Sequence, residues 1–155
     1  GTEEYGLTVG IHAHAAGFID FEPEIERILE EIDERYLKIC FDTGHHSYAG
    51  FDPTSFLRRH IQRTSYMHFK DIDPVVKADV VSKRTDFYSA CGQGIFCNLG
   101  DGDVDFKAVR KLLLENDFDG WCTVEQDCDP EGKTSPFEDA KINCEYLKSI
   151  GFKNI

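Results

Sequence analysis

Four short segments of the chain alternate apolar and polar residues, and each is followed by a longer stretch with helical features. The alternating segments are 7–14 (LTVGIHAH), 37–42 (LKICFD), 64–70 (TSYMHFK) and 119–126 (DGWCTVEQ), and they are predicted to be strands. Side chains reverse at each residue of a strand, so a period of two sorts them onto opposite faces. One face is apolar: Val9, Ile11 and Ala13, then Ile39 and Phe41, then Met67 and Phe69, then Cys122 and Val124. The other carries His12 and His14, Cys40 and Asp42, Tyr66, His68 and Lys70, and Thr123 and Glu125. That second face becomes more polar toward the C-terminal end of every strand.

The intervening stretches read as helices. The first, 23–35, places Ile25, Ile28, Leu29 and Ile32 at helical spacing behind Pro23. The second, 53–62, follows the N-cap and first-turn pair Asp52-Pro53. The third, 106–116, aligns Val109, Leu112 and Leu113 behind a capping Asp105. The last, 136–150, opens with a capping box at Ser135-Pro136-Phe137-Glu138 and stops before Gly151. Strand and helix alternating four times predicts a parallel α/β protein. Between Lys70 and Asp119 there is room for more than one helix, and 74–92 is predicted as a helical excursion ending in Gly92-Gln93-Gly94. Insertions at that position commonly cover a site.

In parallel α/β folds the ligand site lies at the C-terminal strand ends. Those ends hold Asp42, His68 and Glu125, from three successive strands, and His12 offers a fourth donor. Burying an unpaired carboxylate costs several kcal/mol, so a strand that finishes in Asp42 implies a metal or a cationic partner, the alternative being that Asp42 caps the turn and the histidines after it are solvated. A mixed imidazole and carboxylate set suits Mn²⁺, Co²⁺, Fe²⁺ or Zn²⁺, and Mg²⁺ less typically. His60, beside Arg58, Arg59 and Arg63, is expected at the surface, and the acidic residues of the first helix are expected to form a solvated face.

Composition removes several alternatives. A chain of 155 residues fits one domain, 1–155, and its net charge of −12 and pI of about 4.8 repel nucleic acid and anionic membranes. No apolar run approaches the ~20 residues of a membrane span, and no signal-peptide pattern opens the chain. Six cysteines without a C-x-x-C pair predict a reducing cytoplasm rather than a disulfide framework. Asp101-Gly102-Asp103-Val104-Asp105 begins like a calcium loop, but Phe106 and Leu112 occupy the positions of its turn glycine and bidentate glutamate. Ser47 and Ser89 lack a hydrolase elbow, and Gly92-Gln93-Gly94 lacks the third glycine of a dinucleotide fingerprint.

The motifs FDTGHHSYAGFDP, YMHFKD, GIFCNLGDGDVDF and DGWCTVEQDCDP together resemble the xylose-isomerase-like barrel family. Within it the similarity is greatest to inosose dehydratases and sugar phosphate isomerase/epimerases. The resemblance implies (β/α) units forming the C-terminal half, about strands five to eight, of a TIM barrel, because a complete barrel takes ~250 residues. It implies one divalent metal, Mn²⁺ or Co²⁺ first, held by Asp42, His68 and Glu125, with His12, His14 or Asp20 completing the set. It implies that His45 contacts substrate hydroxyls, that His14 also faces the substrate, and that Lys70 points at its carbonyl. Glu125, His45 and Lys70 are then the catalytic candidates, and His46 packs beside the site. The expected partner is a small sugar, sugar phosphate or keto-inositol. A half-barrel is also expected to form a homodimer or to pair with the missing half. A non-catalytic metal-binding module and an endonuclease on the same barrel are the rival readings.

Overall fold

The computed structural model describes residues 2–128 and 135–153. Its centre is a four-stranded parallel sheet, ordered β1 (Gly10–Ile11), β2 (Lys38–Asp42), β3 (Thr64–Phe69) and β6 (Trp121–Val124). Helices α1 (Glu22–Glu31), α3 (Pro53–His60), α6 (Phe106–Glu115) and α7 (Pro136–Ser149) follow these strands. The apolar strand face predicted from alternation packs beneath them: Ile39, Phe41, Met67 and Phe69 are buried with Ile25, Leu29, Phe56, Leu57, Val109, Leu112 and Leu147. Cys122 and Val124 are only half-buried, because the flank of β6 is open. A cavity of about 670 Å³ lined by Phe69, Leu113, Leu114, Phe118 and Phe152 lies there. This chain's helices therefore cover less of the outer face than expected.

The first strand is shorter than its alternation suggests. Only Gly10 and Ile11 pair with β2, and Val9 is 41% exposed rather than packed outward. After Ile11 the chain turns, and His14 donates its N–H to the Ile19 carbonyl at 3.0 Å instead of to a neighbouring strand.

Helix ends follow their caps. Asp52 accepts from the Thr54 N–H at 3.0 Å and Asp105 from the Ala108 N–H at 2.9 Å. The box expected at Ser135 is not made: Ser135 has no side-chain cap bond, and Glu138 pairs with Lys141 at 3.0 Å. Asp129 and Pro130, the end of one quoted motif, lie outside the described residues.

A helix at the end of β2 and a two-stranded ribbon had no counterpart in the periodicity, whereas the helical excursion expected over 74–92 is present. Helix α2 (Thr43–Tyr48) starts directly at the end of β2. The excursion consists of two helices, α4 (Pro74–Lys83) and α5 (Phe87–Gly92). It is framed by an antiparallel ribbon of β4 (Asp71–Ile72) and β5 (Phe96–Cys97). Ile72, Val80, Ala90, Ile95 and Phe96 give this excursion a second apolar cluster of its own.

Candidate metal centre

The parallel register sets the polar strand ends level. Asp42 is paired with His68 across β2 and β3, and the Glu125 N–H extends the neighbouring ladder to the Phe69 carbonyl at 3.0 Å. His12 follows β1 directly. Asp42 uses its two oxygens differently. Its Oδ1 caps α2 by accepting the His45 N–H at 2.8 Å. Its Oδ2 faces His68 Nδ1 at 3.4 Å, Lys70 Nζ at 3.5 Å, His12 Nε2 at 3.7 Å and His45 Nε2 at 3.9 Å. Helix capping and a cluster of bases thus coexist on one carboxylate.

Four buried atoms at this point have no hydrogen-bond partner: His12 Nε2, Asp42 Oδ2, His68 Nδ1 and Glu125 Oε2. Buried polar atoms are rarely left so, and each calls for an explanation. Successive members are separated by 3.7 Å (His12 to Asp42), 3.4 Å (Asp42 to His68) and 2.9 Å (His68 to Glu125). Ligands about 2.0–2.1 Å from a tetrahedral metal stand roughly 3.4 Å apart, so the donor set fits a divalent ion. A second grouping overlaps it: His12, Asp42, His45 and Glu125 each offer a ligand atom, all within 4.8 Å of one another. His45 therefore sits among the donors. Asp20 Oδ2 accepts the Ala16 N–H at 3.0 Å while its buried Oδ1 has no hydrogen-bond partner, and Asp20 belongs to neither grouping.

Lys70 is fully buried beside this cluster. Its Nζ lies 2.9 Å from His45 Nε2, 3.0 Å from Asp127 Oδ2, 3.1 Å from Glu125 Oε2 and 4.9 Å from the centre of the Phe96 ring. Thr43 locks its backbone, since Oγ1 donates to the Lys70 carbonyl at 2.7 Å and accepts the Lys70 N–H at 3.0 Å. Gly44 makes room for its stem: a Cβ there would stand 2.5 Å from Lys70 Cγ.

Electrostatics sort the groups by charge. Burial alone would raise the Asp42 carboxyl, but the facing His12 and His68, with the charges of His45 and Lys70, hold it well below the usual carboxylate range. Burial depresses His45 to about 3, with Lys70 adding to the effect against the pull of Asp42. His68 is raised, first by its contact with Asp42. Burial works against the Lys70 ammonium, yet Asp42, Asp127 and Glu125 outweigh it and raise Lys70. The site thus combines a firm carboxylate, a neutral His45 and a retained ammonium.

His14 is exposed, and its ring centre lies 3.8 Å from that of His45. With Phe87, Tyr88, Cys91 and Asp127 it lines a cavity of about 380 Å³ that opens beside the cluster. Phe87 comes from α5, so the excursion does border the site. His46 packs as expected, 4.6 Å from the Phe56 ring and 5.3 Å from Phe41. Two expectations need correction. His60 is not a surface residue: it stacks on Phe56 and meets Glu26 at 2.9 Å. The acidic face of α1 is not wholly solvated, since Glu22 reaches His46 at 3.1 Å and also pairs with Arg59. An apolar helix face opposite those acids buried the partners that charge alone suggested were free.

Asp127, Thr43 and Phe96 escaped the sequence reading. Asp127 shares the parity of Glu125 two residues on, which was the available signal.

Comparison with known proteins places this geometry. The model of the xylose isomerase-like TIM barrel family matches residues 2–150. An inosose dehydratase of Geobacillus kaustophilus (strain HTA426) is 35% identical over 148 residues, covering 96% of this chain and 48% of that protein. One from Clostridium tetani (strain Massachusetts / E88) is 36% identical over 146 residues, covering 94% and 49%. The crystal structure of the probable 3-DHS dehydratase AsbF of Bacillus anthracis superposes with a TM-score of 0.69 at 20% identity, covering 98% of this chain and 52% of that one. That of an IOLI protein with a zinc atom superposes at 0.67 and 16% identity, covering 96% and 50%. The chain belongs to the xylose isomerase-like TIM barrel family. It spans about half the length of the curated relatives it matches.

Proposed function

We propose that this chain carries the metal-binding part of a barrel enzyme that removes a proton next to a carbonyl in a sugar or polyol. An inosose-type keto-polyol is the proposed substrate and loss of water the outcome. The observation that carries this reading is the convergence of four otherwise unpartnered buried donors at parallel strand ends. The proposed ligands are His12, Asp42, His68 and Glu125. His68 is preferred to His45 because His45 Nε2 is already against the Lys70 ammonium at 2.9 Å, whereas His68 Nδ1 faces both carboxylates. The donor set suits Mn²⁺ or Co²⁺ first, then Fe²⁺, Zn²⁺ or Mg²⁺. A divalent ion held there supplies Lewis-acid polarisation of a carbonyl.

The chain's own residues supply the rest. Lys70 keeps its charge and donates to the substrate carbonyl oxygen. His45, neutral at pH 7 by its burial, hydrogen-bonds the adjacent hydroxyls. Glu125, whose side chain is 39% exposed where that of Asp42 is fully buried, is the more accessible carboxylate of the donor set and takes the proton from the α-carbon. That C–H electron pair becomes the new C=C bond as the C–O bond one carbon further breaks. His14, over the cavity beside the cluster, delivers the proton with which the hydroxyl leaves as water. Epimerisation would need a base on each face of the carbon, and Glu125 is the one glutamate at the described strand ends. That favours dehydration over isomerisation or epimerisation.

The same reading makes 1–155 one half-barrel domain that pairs with a second half, its own copy or another. An endonuclease role is disfavoured by the net charge of −12, which repels a phosphodiester backbone. Among the described residues no helix is long and apolar enough to cross a membrane.

Equilibrium dialysis against Mn²⁺ or Co²⁺ tests the centre. The parent should retain one ion, and Asp42→Ala/His68→Ala should lose it, which would not happen if the ion sat elsewhere. With the complementary half present, keto-inositol should be dehydrated in a metal-dependent way. Glu125→Gln should then cost 10²–10⁴-fold in kcat, the usual contribution of a general base. An unchanged kcat would remove Glu125 as the base.

A further inference from the structure

We propose that Asp127 is a positioning residue whose carboxylate holds the Lys70 ammonium off Asp42 and Glu125, leaving those two oxygens to the metal. The inference rests on the metal reading above and adds a determinant of how tightly that metal is held.

Lys70 competes for the same atoms as the ion. Its Nζ lies 3.5 Å from Asp42 Oδ2 and 3.1 Å from Glu125 Oε2, the two carboxylate oxygens of the donor set. Two cations cannot share those oxygens at close range without repelling each other. The lysine cannot withdraw either. Thr43 fixes its backbone from both sides, and its stem runs against Gly44 so closely that a methyl group there would collide with Cβ, Cγ and Cδ. The Phe96 ring closes one side of the ammonium. What remains free is the choice of carboxylate.

Hydrogen-bond geometry records that choice. Of the three acids near Nζ, Asp127 receives an aligned bond, at 3.0 Å. Asp42 Oδ2 and Glu125 Oε2 stay without a hydrogen-bond partner despite their proximity to the same ammonium. Asp127 itself is outside both donor groupings and lines the cavity beside the site. Among the described residues Lys70 is its hydrogen-bond partner.

Mn²⁺ titration by calorimetry at fixed pH tests this, with circular dichroism confirming the fold of each variant. Asp127→Asn should weaken Mn²⁺ binding on the order of tenfold, the low end for residues that orient a metal's surroundings. Asp127→Glu should restore binding to within about threefold, since it returns a carboxylate to the lysine. Lys70→Met should bind Mn²⁺ more tightly than the parent, and adding Asp127→Asn to it should change nothing. Should Lys70→Met not fold, Lys70→Gln supplies the uncharged background. An equal loss from Asp127→Asn with and without the lysine would overturn the inference, because Asp127 would then act only as a nearby negative charge. So would no loss in either background. A parent that binds no Mn²⁺ would instead overturn the metal centre itself, and this inference with it.

Discussion

Two carboxylates lie at nearly the same depth in this protein, Asp42 at 3% exposure and Asp71 at none, and their surroundings are opposites. Asp71 is saturated by backbone. Its Oδ1 accepts the N–H groups of Ile72 at 2.9 Å and Val104 at 3.1 Å. Its Oδ2 accepts those of Gly100 at 2.8 Å and Gly102 at 3.2 Å. Asp42 receives one backbone N–H, on Oδ1, and leaves Oδ2 among imidazoles and an ammonium. Backbone donors cannot leave, so Asp71 pins the 98–104 loop against the ribbon and can do little else. Side-chain partners can rearrange, so Asp42 is free to exchange them for a ligand. Depth alone does not separate a structural acid from a functional one. The mobility of its partners does.

The largest expected effect is a crossing of two phenotypes. Asp71→Asn would set an amide NH₂ against backbone N–H donors and leave some of them unsatisfied. It should destabilise the fold by about 3 kcal/mol in urea unfolding, at the upper end of the cost of leaving buried groups unpaired. Its Mn²⁺ affinity should stay near that of the parent. Asp42→Asn keeps the oxygen that caps α2, so its stability should change by no more than about 1 kcal/mol. Its metal affinity should fall by more than the 10–100-fold typical of residues behind the ligands. Equal destabilisation by the two substitutions would erase the distinction.

Acid should then probe the mobile region. His45 is depressed to about 3, chiefly by burial. Between pH 6.5 and 3 the unfolded chain therefore takes up a proton at this position that the folded chain refuses, and stability falls as pH falls. His46 is also lowered by burial and acts in the same direction. His68 is raised, so it adds stability as pH falls from 7 through 6.5, opposing His45 there, and adds no slope once both states are protonated. Each refused proton contributes at most about 1.4 kcal/mol per pH unit. A loss of about 2 kcal/mol is expected between pH 7 and 5 in urea denaturation, and His45→Gln should flatten part of it. A parent whose stability is level over that range would place the proton on His45 inside the fold.

Much of this was legible in the chain. Strands β2 and β3 and helices α1, α3, α6 and α7 follow the alternation and cap residues to within a few positions, since both signals are local. Strand parity put Asp42, His68 and Glu125 on one face at successive strand ends with His12 or His14 beside them, and the structure brings His12 Nε2 to 3.7 Å from Asp42 Oδ2. What escaped depended on contacts between distant segments. Helix α2 is the exception: it has no apolar stripe in Thr-Gly-His-His-Ser-Tyr, and the local cap from Asp42 was legible only as a turn. The Asp71 nest looked like a failed calcium loop at Asp101-Gly102-Asp103, because the acid that organises it lies thirty residues upstream in the chain. The pairings of Glu22 with His46 and Glu26 with His60 likewise join α1 to α2 and α3.

The smallest effect compares the glycines that make room for each region. A Cβ on Gly102 would stand 2.2 Å from Asp71 Oδ1 and 2.5 Å from the Ile72 carbonyl oxygen. One on Gly44 would stand 2.5 Å from Lys70 Cγ and 2.8 Å from its Cβ. In both cases the contact is too close to survive, but what must give way differs. At Gly102 it is a backbone carbonyl and a fixed carboxylate, so Gly102→Ala should cost about 1–3 kcal/mol, the usual cost of overpacking, and leave Mn²⁺ binding untouched. At Gly44 it is the stem of Lys70, whose Cβ, Cγ and Cδ must all shift while Thr43 holds the backbone. Gly44→Ala should therefore also cost about 1–3 kcal/mol, while moving the ammonium relative to Asp127. Metal affinity in Gly44→Ala should shift a few-fold, read in the same calorimetric titration. If instead Gly102→Ala altered Mn²⁺ binding and Gly44→Ala did not, the loop pinned by Asp71 would belong to the site, and the division between the two carboxylates would have to be redrawn.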